Sequence, residues 1–259
     1  MQLFPHISNS CSLESYVDDS KLCLSFWVKD AEDASARLTV DLWRITAWCC
    51  SYCLLINPNR TKVLLLVTRQ MLNKVPDSFH VTLLGKEISP VPSARDLGVI
   101  LDTFLTYDEH ITSVVSKCIS SLCQINRVKH ILDKQSSLIT VINSVVFSRL
   151  YYCSTVSSNT SKETIFKLQN VQNFAARIIT DTKKYDQITP VIRQLNWLPV
   201  RFMLQLRDAV MTFKCLKGLA PPHLCDRFIM RSQVHNCNTS NRNMLQISRC
   251  SSTAGGRME

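Results

Sequence analysis

The sequence contains 259 residues, with 30 Lys and Arg against 20 Asp and Glu, and its formal net charge at pH 7 is +10. A chain of this length can bury a sizeable core in one or two domains, and a pI near 9.1 suits a polyanionic partner without requiring one. Five glycines and nine prolines are too few for a low-complexity chain.

The 12 cysteines do not indicate a disulfide scaffold, because the chain is long and opens without a secretory signal sequence. We therefore expect reduced thiols and a cytoplasmic or nuclear protein, not a secreted one. The cysteine and histidine spacings lack the paired ligands that structural zinc requires. The longest apolar stretch, 45–56, is shorter than the roughly 20 residues of a membrane span, so we expect no membrane helix.

Near the amino terminus, alternating apolar and polar residues at 13–17 and 22–28 predict a β-hairpin. Between these strands, the run Tyr16-Val17-Asp18-Asp19 places Asp18 and Asp19 at the predicted turn. In a straight strand, neighbouring side chains point to opposite faces, whereas in a turn both carboxylates can approach one cation such as Mg²⁺. Aspartate is also a common turn residue, so the pair taken alone favours an ordinary surface turn.

The remainder of residues 1–104 predicts a mixture of helix and strand. A helix is expected over 31–55, with Asp30 as its N-cap and Asn57-Pro58 at its end. Strands are expected at 63–67, 79–84 and 97–101, with a loop before the last of them.

From 105 to 229 the apolar residues recur every three or four positions, which predicts an all-helical bundle. The stripes expected to face its core are Ile111, Val114, Val115, Cys118, Leu122, Ile125 and Val128; Leu138, Val141, Ile142, Val145 and Val146; Ile165, Leu168, Val171, Ala175 and Ile178; and Met203, Leu206, Val210 and Phe213. Thr160-Ser161-Lys162-Glu163 fits a capping box before the third helix, and Gly218 ends the fourth. Residues 230–259 are polar and predict a disordered tail. The predicted fold class is α+β.

Lysine and arginine side chains are concentrated in the predicted bundle, where they suit contacts with phosphates. The candidate nucleic-acid-binding residues are Arg127, Lys129, Lys162, Lys167, Arg177, Lys183 and Lys184. For any one of them, a solvated helix surface is the simpler interpretation. Tyr151, Tyr152, Phe174 and Trp197 could stack on bases, although aromatic residues of a bundle more often belong to its core.

Several segments form an ordered series of motifs at 14–22, 55–66, 95–102, 148–153, 168–177 and 188–201. The series resembles the reverse transcriptases of LINE-type non-LTR retrotransposons and covers about residues 11–228. By this resemblance, the first segment is the active-site hairpin and the second enters the next strand of the polymerase palm. The third is similar to the hairpin that grips the primer, and the last three belong to the helical region after the palm.

The resemblance implies a partial polymerase palm at 1–104, followed by an all-helical thumb and extension at 105–229. It implies RNA-templated DNA synthesis with Mg²⁺, on an RNA template with a DNA primer. Asp18 and Asp19 would be catalytic metal ligands. The other motif residues on which the resemblance rests are Tyr16, Arg60, Lys62, Leu97 and Gly98.

Two departures from the family lead us to expect that this chain is inactive alone. Two-metal nucleotidyl transfer needs several carboxylates, and the family takes a further aspartate from an upstream strand and binds the nucleotide with fingers. Here 15 residues precede Tyr16, and Glu14 is the sole acid among them. The family's proton-donating lysine falls on Arg60, which holds its proton too tightly, and Lys62 replaces it only if the local loop permits.

Two other interpretations stay open. The basic bundle could be a non-catalytic module that binds RNA or DNA. Alternatively, the chain could be the product of a decayed element with no selected function, since half a palm leaves sheet edges uncovered.

Overall fold

The computed structural model describes residues 11–17, 19–132, 135–158, 160–234 and 244–246. The chain divides into an N-terminal unit that ends at Tyr107 and a C-terminal unit that begins at Asp108. The N-terminal unit combines a long helix with antiparallel hairpins, whereas the C-terminal unit is predominantly helical. The predicted α+β fold class is confirmed.

The described strands of the N-terminal unit pair as three antiparallel hairpins. They are β1 Ser12–Tyr16 with β2 Asp19–Cys23, β3 Val81–Leu83 with β4 Lys86–Ile88, and β5 Ser93–Asp96 with β6 Val99–Asp102. The helices of this unit are α1 Ala31–Ser51 and α2 Arg69–Leu72. The last two hairpins close through Leu84-Gly85 and Leu97-Gly98, whose φ angles are all positive. Such two-residue turns match the twist of the strands, and glycine at the second position adopts them without strain.

Two predicted strands differ in position from those observed. The strand expected at 97–101 spans the turn of a hairpin, because Gly98 has a φ of 86° that strands do not adopt. The second strand of the first hairpin ends at Cys23, although the alternation continues to residue 28. Alternation therefore located the hairpins better than it located their ends.

The predicted strand at 63–67 is wrong, because this segment makes only isolated backbone contacts. The Val91 N–H group donates to the Val63 carbonyl oxygen at 2.9 Å. On that neighbouring segment, Pro90 and Pro92 have no N–H group to donate. A continuous ladder cannot form beside two such residues.

Helix α1 begins where predicted and ends four residues early. Its end is closed by Cys53, which has a φ of 57°, and by the Leu54 N–H group, which bonds back to the last turn at 2.9 Å. Asp30 stands at the N-cap position, as predicted, but its side chain makes no capping hydrogen bond. The reason is that a 3₁₀-helix, Val28–Asp30, runs directly into α1 and leaves no extended N-cap residue.

A small apolar core holds α1 against the β3–β4 hairpin. Ala31, Leu65, Phe79 and Val81 are buried in it. The Phe26 and Phe79 rings stack with centroids 5.8 Å apart. The loop before α1 and the hairpin are thus fixed to the same cluster.

The last residues of the N-terminal unit are organised around one carboxylate, that of Asp102. It accepts backbone hydrogen bonds from Phe104 at 3.1 Å, Thr106 at 3.0 Å and Tyr107 at 2.7 Å. Leu105 and Tyr107 have positive φ angles of 52° and 60°. Partial burial raises the pKa of Asp102, but these N–H donors outweigh it and hold the pKa below its ordinary value.

Replacing Asp102 by alanine should lower the free energy of unfolding at pH 7 by about 1 kcal/mol, because three N–H groups lose their acceptor. The folded-state pKa is lowered, so this stabilisation is present at neutral pH and is lost as pH falls through the folded-state value, below the ordinary 3.8. Urea unfolding of both proteins between pH 7 and pH 2.5 checks this. Asp77→Ala, an exposed acid, is the control; equal losses in both variants would contradict the prediction.

The C-terminal unit contains helices of very different length. They are α3 Asp108–Val128, α4 Gln135–Ile142, α5 Ser148–Leu150, α6 Ser154–Ser158, α7 Lys162–Thr180, α8 Thr189–Gln194, α9 Val200–Leu216, α10 Pro222–Cys225 and α11 Arg231–Val234. Helices α3 and α7 pack along each other, and α9 packs on α6 and α7. Their sequence patterns predicted the long helices, whereas the short ones were missed.

The predicted stripes of α3 and α7 largely face the core. Ile111, Cys118, Leu122 and Ile125 are buried on α3, as are Leu168, Val171, Ala175 and Ile178 on α7. The second predicted helix is divided by a π-helical segment, Asn143–Phe147, between α4 and α5. Leu138, Ile142 and Val146 of its stripe are nevertheless buried.

The predicted stripe of α9 is wrong. Leu206, Val210 and Phe213 are exposed, whereas Val200 and Leu204 are buried. Apolar residues occupy both faces of this helix, so their periodicity could not indicate which face packs.

The start of α7 lies one residue beyond the predicted cap. Ser161, not Thr160, is the N-cap, and its hydroxyl accepts the Thr164 N–H group at 3.2 Å. The Thr164 hydroxyl in turn donates to Asp108 at 3.0 Å, which ties α7 to the start of α3. At the other end of the bundle, Gly218 follows α9 with a φ of 66°, as predicted.

The predicted tail lies mainly outside the described residues. Within it, Arg231–Val234 is a helical turn, and Met230 forms a bridge with Leu245. The disorder of the tail stays a prediction. No helix in the described ranges has the length and apolar character needed to cross a membrane.

Candidate functional site: an acidic hairpin and a basic groove

The acidic run lies on the β1–β2 hairpin, and Asp19 belongs to the second strand instead of the turn in which it was predicted. Tyr16 pairs with Asp19 across the strands. Val17 has a φ of 55°, and Asp19 is the first, exposed residue of β2. Asp18 lies outside the described residues.

One face of this hairpin carries the charged residues. Register pairs Tyr16 with Asp19 and Glu14 with Lys21, and paired side chains share a face. Lys21 Nζ lies 3.2 Å from Asp96 Oδ2, at the end of β5. Partial burial lowers the pKa of Lys21, but the hydrogen bond and charge of Asp96 raise it above its ordinary value. The ion pair thus joins the acidic hairpin to the β5–β6 hairpin.

The acidic hairpin is also anchored to α1 through Asp41, which is 1 % exposed. The Cys11 N–H group donates to Asp41 Oδ2 at 3.2 Å, and Arg44 Nη1 donates to Oδ1 at 3.1 Å. Burial, and next the hydrogen bond that the thiol donates to the Asp41 carboxylate, raise the pKa of Cys11 to about 12. Sequence analysis missed Asp41. The signal in the sequence was the position of Asp41, which falls at helical spacing from the buried apolar residues of α1. Water cannot solvate a carboxylate there, so such an acid needs hydrogen-bond partners within the protein.

The other motif residues lie at turns. Arg60 and Lys62 are exposed and follow the turn at Asn57, whose carbonyl oxygen accepts the Arg60 N–H group at 3.1 Å. Leu97 and Gly98 form the turn of the β5–β6 hairpin, next to Asp96. The ion pair of Asp96 therefore links this turn to β2, whereas Arg60 and Lys62 stand on a separate turn.

A metal ion would find only part of a site in the described residues. Among them, no group of three or more His, Cys, Asp or Glu side chains could hold a metal ion. Asp19 is exposed, and Glu14 on the same face is paired in register with Lys21. Carboxylate oxygens are the ligands Mg²⁺ prefers, so the donor type fits while the number falls short.

A groove of about 630 Å³ lies between the end of α3 and the second half of α7. It brings together three of the seven predicted nucleic-acid-binding cations, Lys129, Arg177 and Lys184. The other four, Arg127, Lys162, Lys167 and Lys183, do not line it; they are exposed. We call this feature the basic groove; it is also lined by Asn126, Asn170, Asn173, Phe174, Ile178, Asp181 and Thr182.

The three cations of the basic groove are not equivalent. Lys129 pairs with Asp181, the residue that follows α7 in the left-handed conformation. Arg177 donates to the carbonyl oxygens of Lys183 and, at 3.1 Å, Asp186. Lys184 is exposed beside the Tyr185 ring, with Nζ 5.8 Å from the centroid. Two cations therefore hold the loop after α7, and Lys184 faces solvent.

The asparagines of the basic groove were missed by sequence analysis. Asn170, Asn173 and Arg177 recur at helical spacing on α7, which was the available signal. Of the four candidate stacking residues, Phe174 lines the groove. Tyr151 and Trp197 instead pack on Phe147, with centroids 5.8 and 4.8 Å from it.

One curated protein has a significant match to this chain. It is "Probable RNA-directed DNA polymerase from transposon BS" of Drosophila melanogaster, which is 25% identical over 189 residues, or 71% of this chain. This distant similarity supports a reverse transcriptase-like origin. The chain spans 20% of the length of that relative. No family model and no solved structure matches the chain.

Proposed function

We propose that the chain is the palm and thumb portion of a reverse transcriptase from a LINE-type non-LTR retrotransposon. The observation that carries the proposal is the acidic hairpin, in which Tyr16 is paired with Asp19 across the two strands. The ion pair between Lys21 and Asp96 supports it, because it places a second motif hairpin beside the first. The similarity to the transposon polymerase over 189 residues agrees with both.

In this proposal, Asp18 and Asp19 contribute carboxylates to a magnesium site that serves RNA-templated DNA synthesis. Bound Mg²⁺ would stabilise negative charge on the nucleotide phosphates. The residues of this chain position Asp19: the register of β1–β2 sets its face, and the Lys21–Asp96 ion pair fixes the hairpin against β5–β6. RNA template and DNA primer are the proposed partners.

Binding of Mn²⁺, a paramagnetic substitute for Mg²⁺, tests the metal site directly. In NMR spectra of the labelled 259-residue chain, Mn²⁺ should broaden the amide signals of residues 15–20 first. Replacing both Asp18 and Asp19 by asparagine should abolish this preference, because both carboxylates of the acidic run are then removed. Glu87→Gln, which removes an exposed carboxylate from another hairpin, should leave it unchanged. Broadening that is no stronger at 15–20 than elsewhere would overturn the proposed metal role.

We further propose that these 259 residues alone do not synthesise DNA, because among the described residues no group of three or more potential ligands could hold a metal ion, whereas two-metal transfer needs several carboxylates. Purified chain with Mg²⁺, a primed RNA template and labelled nucleotides should give no extension, while an active reverse transcriptase in a parallel reaction does. Template-dependent incorporation by the chain would refute this part of the proposal.

A second candidate function is non-catalytic binding of RNA or DNA by the C-terminal unit. The basic groove favours it, because it gathers Lys129, Arg177 and Lys184 with amide side chains on one surface. This function needs neither a metal ion nor the acidic hairpin. Its binding test is therefore independent of the Mn²⁺ experiment.

A further inference from the structure

We infer that the basic groove binds unpaired nucleotides of single-stranded nucleic acid, an inference that rests on the nucleic-acid partner proposed above. The groove has a volume of about 630 Å³ and lies entirely within the C-terminal unit. That volume falls in the range of roughly 300 to 1,000 Å³ in which proteins hold small organic molecules. A nucleotide and part of its neighbour fit such a space.

The amide side chains of the groove suit the edges of unpaired bases. Asn126 and Asn170 are exposed, so both a donor and an acceptor of each amide are accessible. The Asn173 side-chain oxygen accepts a hydrogen bond from Gln169 Nε2 at 2.9 Å, which orients its NH₂ group as the remaining donor. Base edges present such donors and acceptors when they are not paired with another strand.

An aromatic ring stands among these amides. Phe174 is half-buried, and it follows Asn173 directly on α7. A ring held in this way loses little conformational freedom on binding and offers a face on which a base can stack. Stacking does not depend on which base is present, so it suits single strands of varied sequence.

The charges of the groove favour a single strand over a duplex. Asp181 compensates Lys129, and the Arg177 guanidinium is bonded to backbone carbonyl oxygens, so Lys184 is the most accessible cation. A duplex hides its base edges and is held mainly through many phosphate contacts. A surface with one accessible cation and three amides is better matched to exposed bases and a few phosphates.

Fluorescence anisotropy with the complete 259-residue chain tests the inference, without Mg²⁺ and at low salt. The probes are labelled 12-nucleotide single strands of RNA and of DNA, and duplexes of the same sequence. We expect each single strand to bind at least fivefold tighter than its duplex. Comparison of the two single strands identifies whether RNA or DNA is preferred.

Three substitutions in the groove report on its separate contacts. Phe174→Leu should weaken single-strand binding about fivefold or more, because a stacking surface is lost. Lys184→Gln and Asn170→Ala should each weaken it about threefold. The matched controls are Lys167→Gln, an exposed cation on the same helix outside the groove, and Asn73→Ala, an exposed amide of the N-terminal unit. Both should bind within 1.5-fold of the original chain.

Two results would overturn the inference. One is a duplex that binds as tightly as the single strand, and the other is a loss in Lys167→Gln equal to that in Lys184→Gln. Neither result would contradict the proposed metal role of the acidic hairpin, because Mn²⁺ broadening tests that role in a separate experiment. Conversely, a hairpin that does not select Mn²⁺ would refute the metal role while a positive binding result supports the groove.

Discussion

Replacing Gln172 by alanine is expected to lower the free energy of unfolding of the C-terminal unit by about 3 kcal/mol. Gln172 is 1 % exposed on α7, and its Nε2 donates to the Leu198 carbonyl oxygen at 2.8 Å. Its Oε1 accepts from Gln169 Nε2 at 2.8 Å. The substitution leaves the Leu198 carbonyl oxygen unpaired and creates a cavity beside α7. Urea unfolding followed by circular dichroism measures the loss.

Two further variants separate the causes of this loss. Gln172→Met keeps most of the volume and removes the hydrogen bonds, so its loss should be about half as large. Lys167→Ala, on the exposed side of α7, should change stability by less than about 0.5 kcal/mol. A Gln172→Ala protein as stable as the Lys167→Ala protein would show that the hydrogen bonds and packing of Gln172 contribute nothing to the free energy of unfolding.

The same network positions the start of α9. The Val200 N–H group donates to Gln169 Oε1 at 2.8 Å, and Val200 is fully buried. Gln169 therefore satisfies one of the N–H groups that a helix start leaves without an intrahelical acceptor. Loss of Gln172 would also release Gln169, so the effects of replacing Gln172 and Gln169 by alanine should not be additive.

Replacing Asp41 by alanine is expected to destabilise the N-terminal unit by about 2 kcal/mol and to loosen the acidic hairpin. The buried Asp41 carboxylate accepts the Cys11 N–H group and an Arg44 N–H group, and the first of these fixes the entry to β1. Arg44 is partly exposed and can be solvated, so most of the loss arises at Cys11. Hydrogen exchange of the amides at 12–23 should become faster together with the decrease in stability.

The control for Asp41 lies on the same helix. Asp33 pairs with Arg37 at the surface, and Asp33→Ala should cost less than about 0.5 kcal/mol because exposed ion pairs contribute little. Asp41→Asn keeps an acceptor for the Cys11 N–H group and should lie between the two. Unchanged exchange at 12–23 in Asp41→Ala would show that the hairpin is held by other contacts.

Helices of the C-terminal unit could be predicted where one face alone is apolar, as on α3 and α7. The pattern failed on α9, because this helix carries apolar residues on more than one face. Val200 and Leu204 are buried, whereas Leu206 and Phe213 are exposed. The strand at 63–67 failed for a different reason. Its β-branched and apolar residues favour a strand, but the segment beside it contains two prolines, and pairing depends on both partners.

The candidate sites were predicted unevenly. Local sequence identified the acidic hairpin, because a run of four residues contains its turn. It did not identify Lys21 or Asp41, whose partners Asp96 and Cys11 lie 75 and 30 residues away along the chain. For the basic groove, charge indicated the correct helices but not which cations meet. Lys129 and Arg177 come together because α3 and α7 are adjacent in space.

The π-helical segment Asn143–Phe147 allows the region between α4 and α5 to vary in length by one residue during evolution. A π-turn holds one residue more than the α-helical turn that it replaces. Deletion of one residue there would restore a regular helix in which the buried Leu150 and Tyr151 keep nearly the same orientation. Deletion of one residue within α7 would instead rotate every later position of that helix by about 100° and turn buried residues such as Ala175 away from the core. Changes in length should therefore be tolerated at 143–147 and selected against within α7.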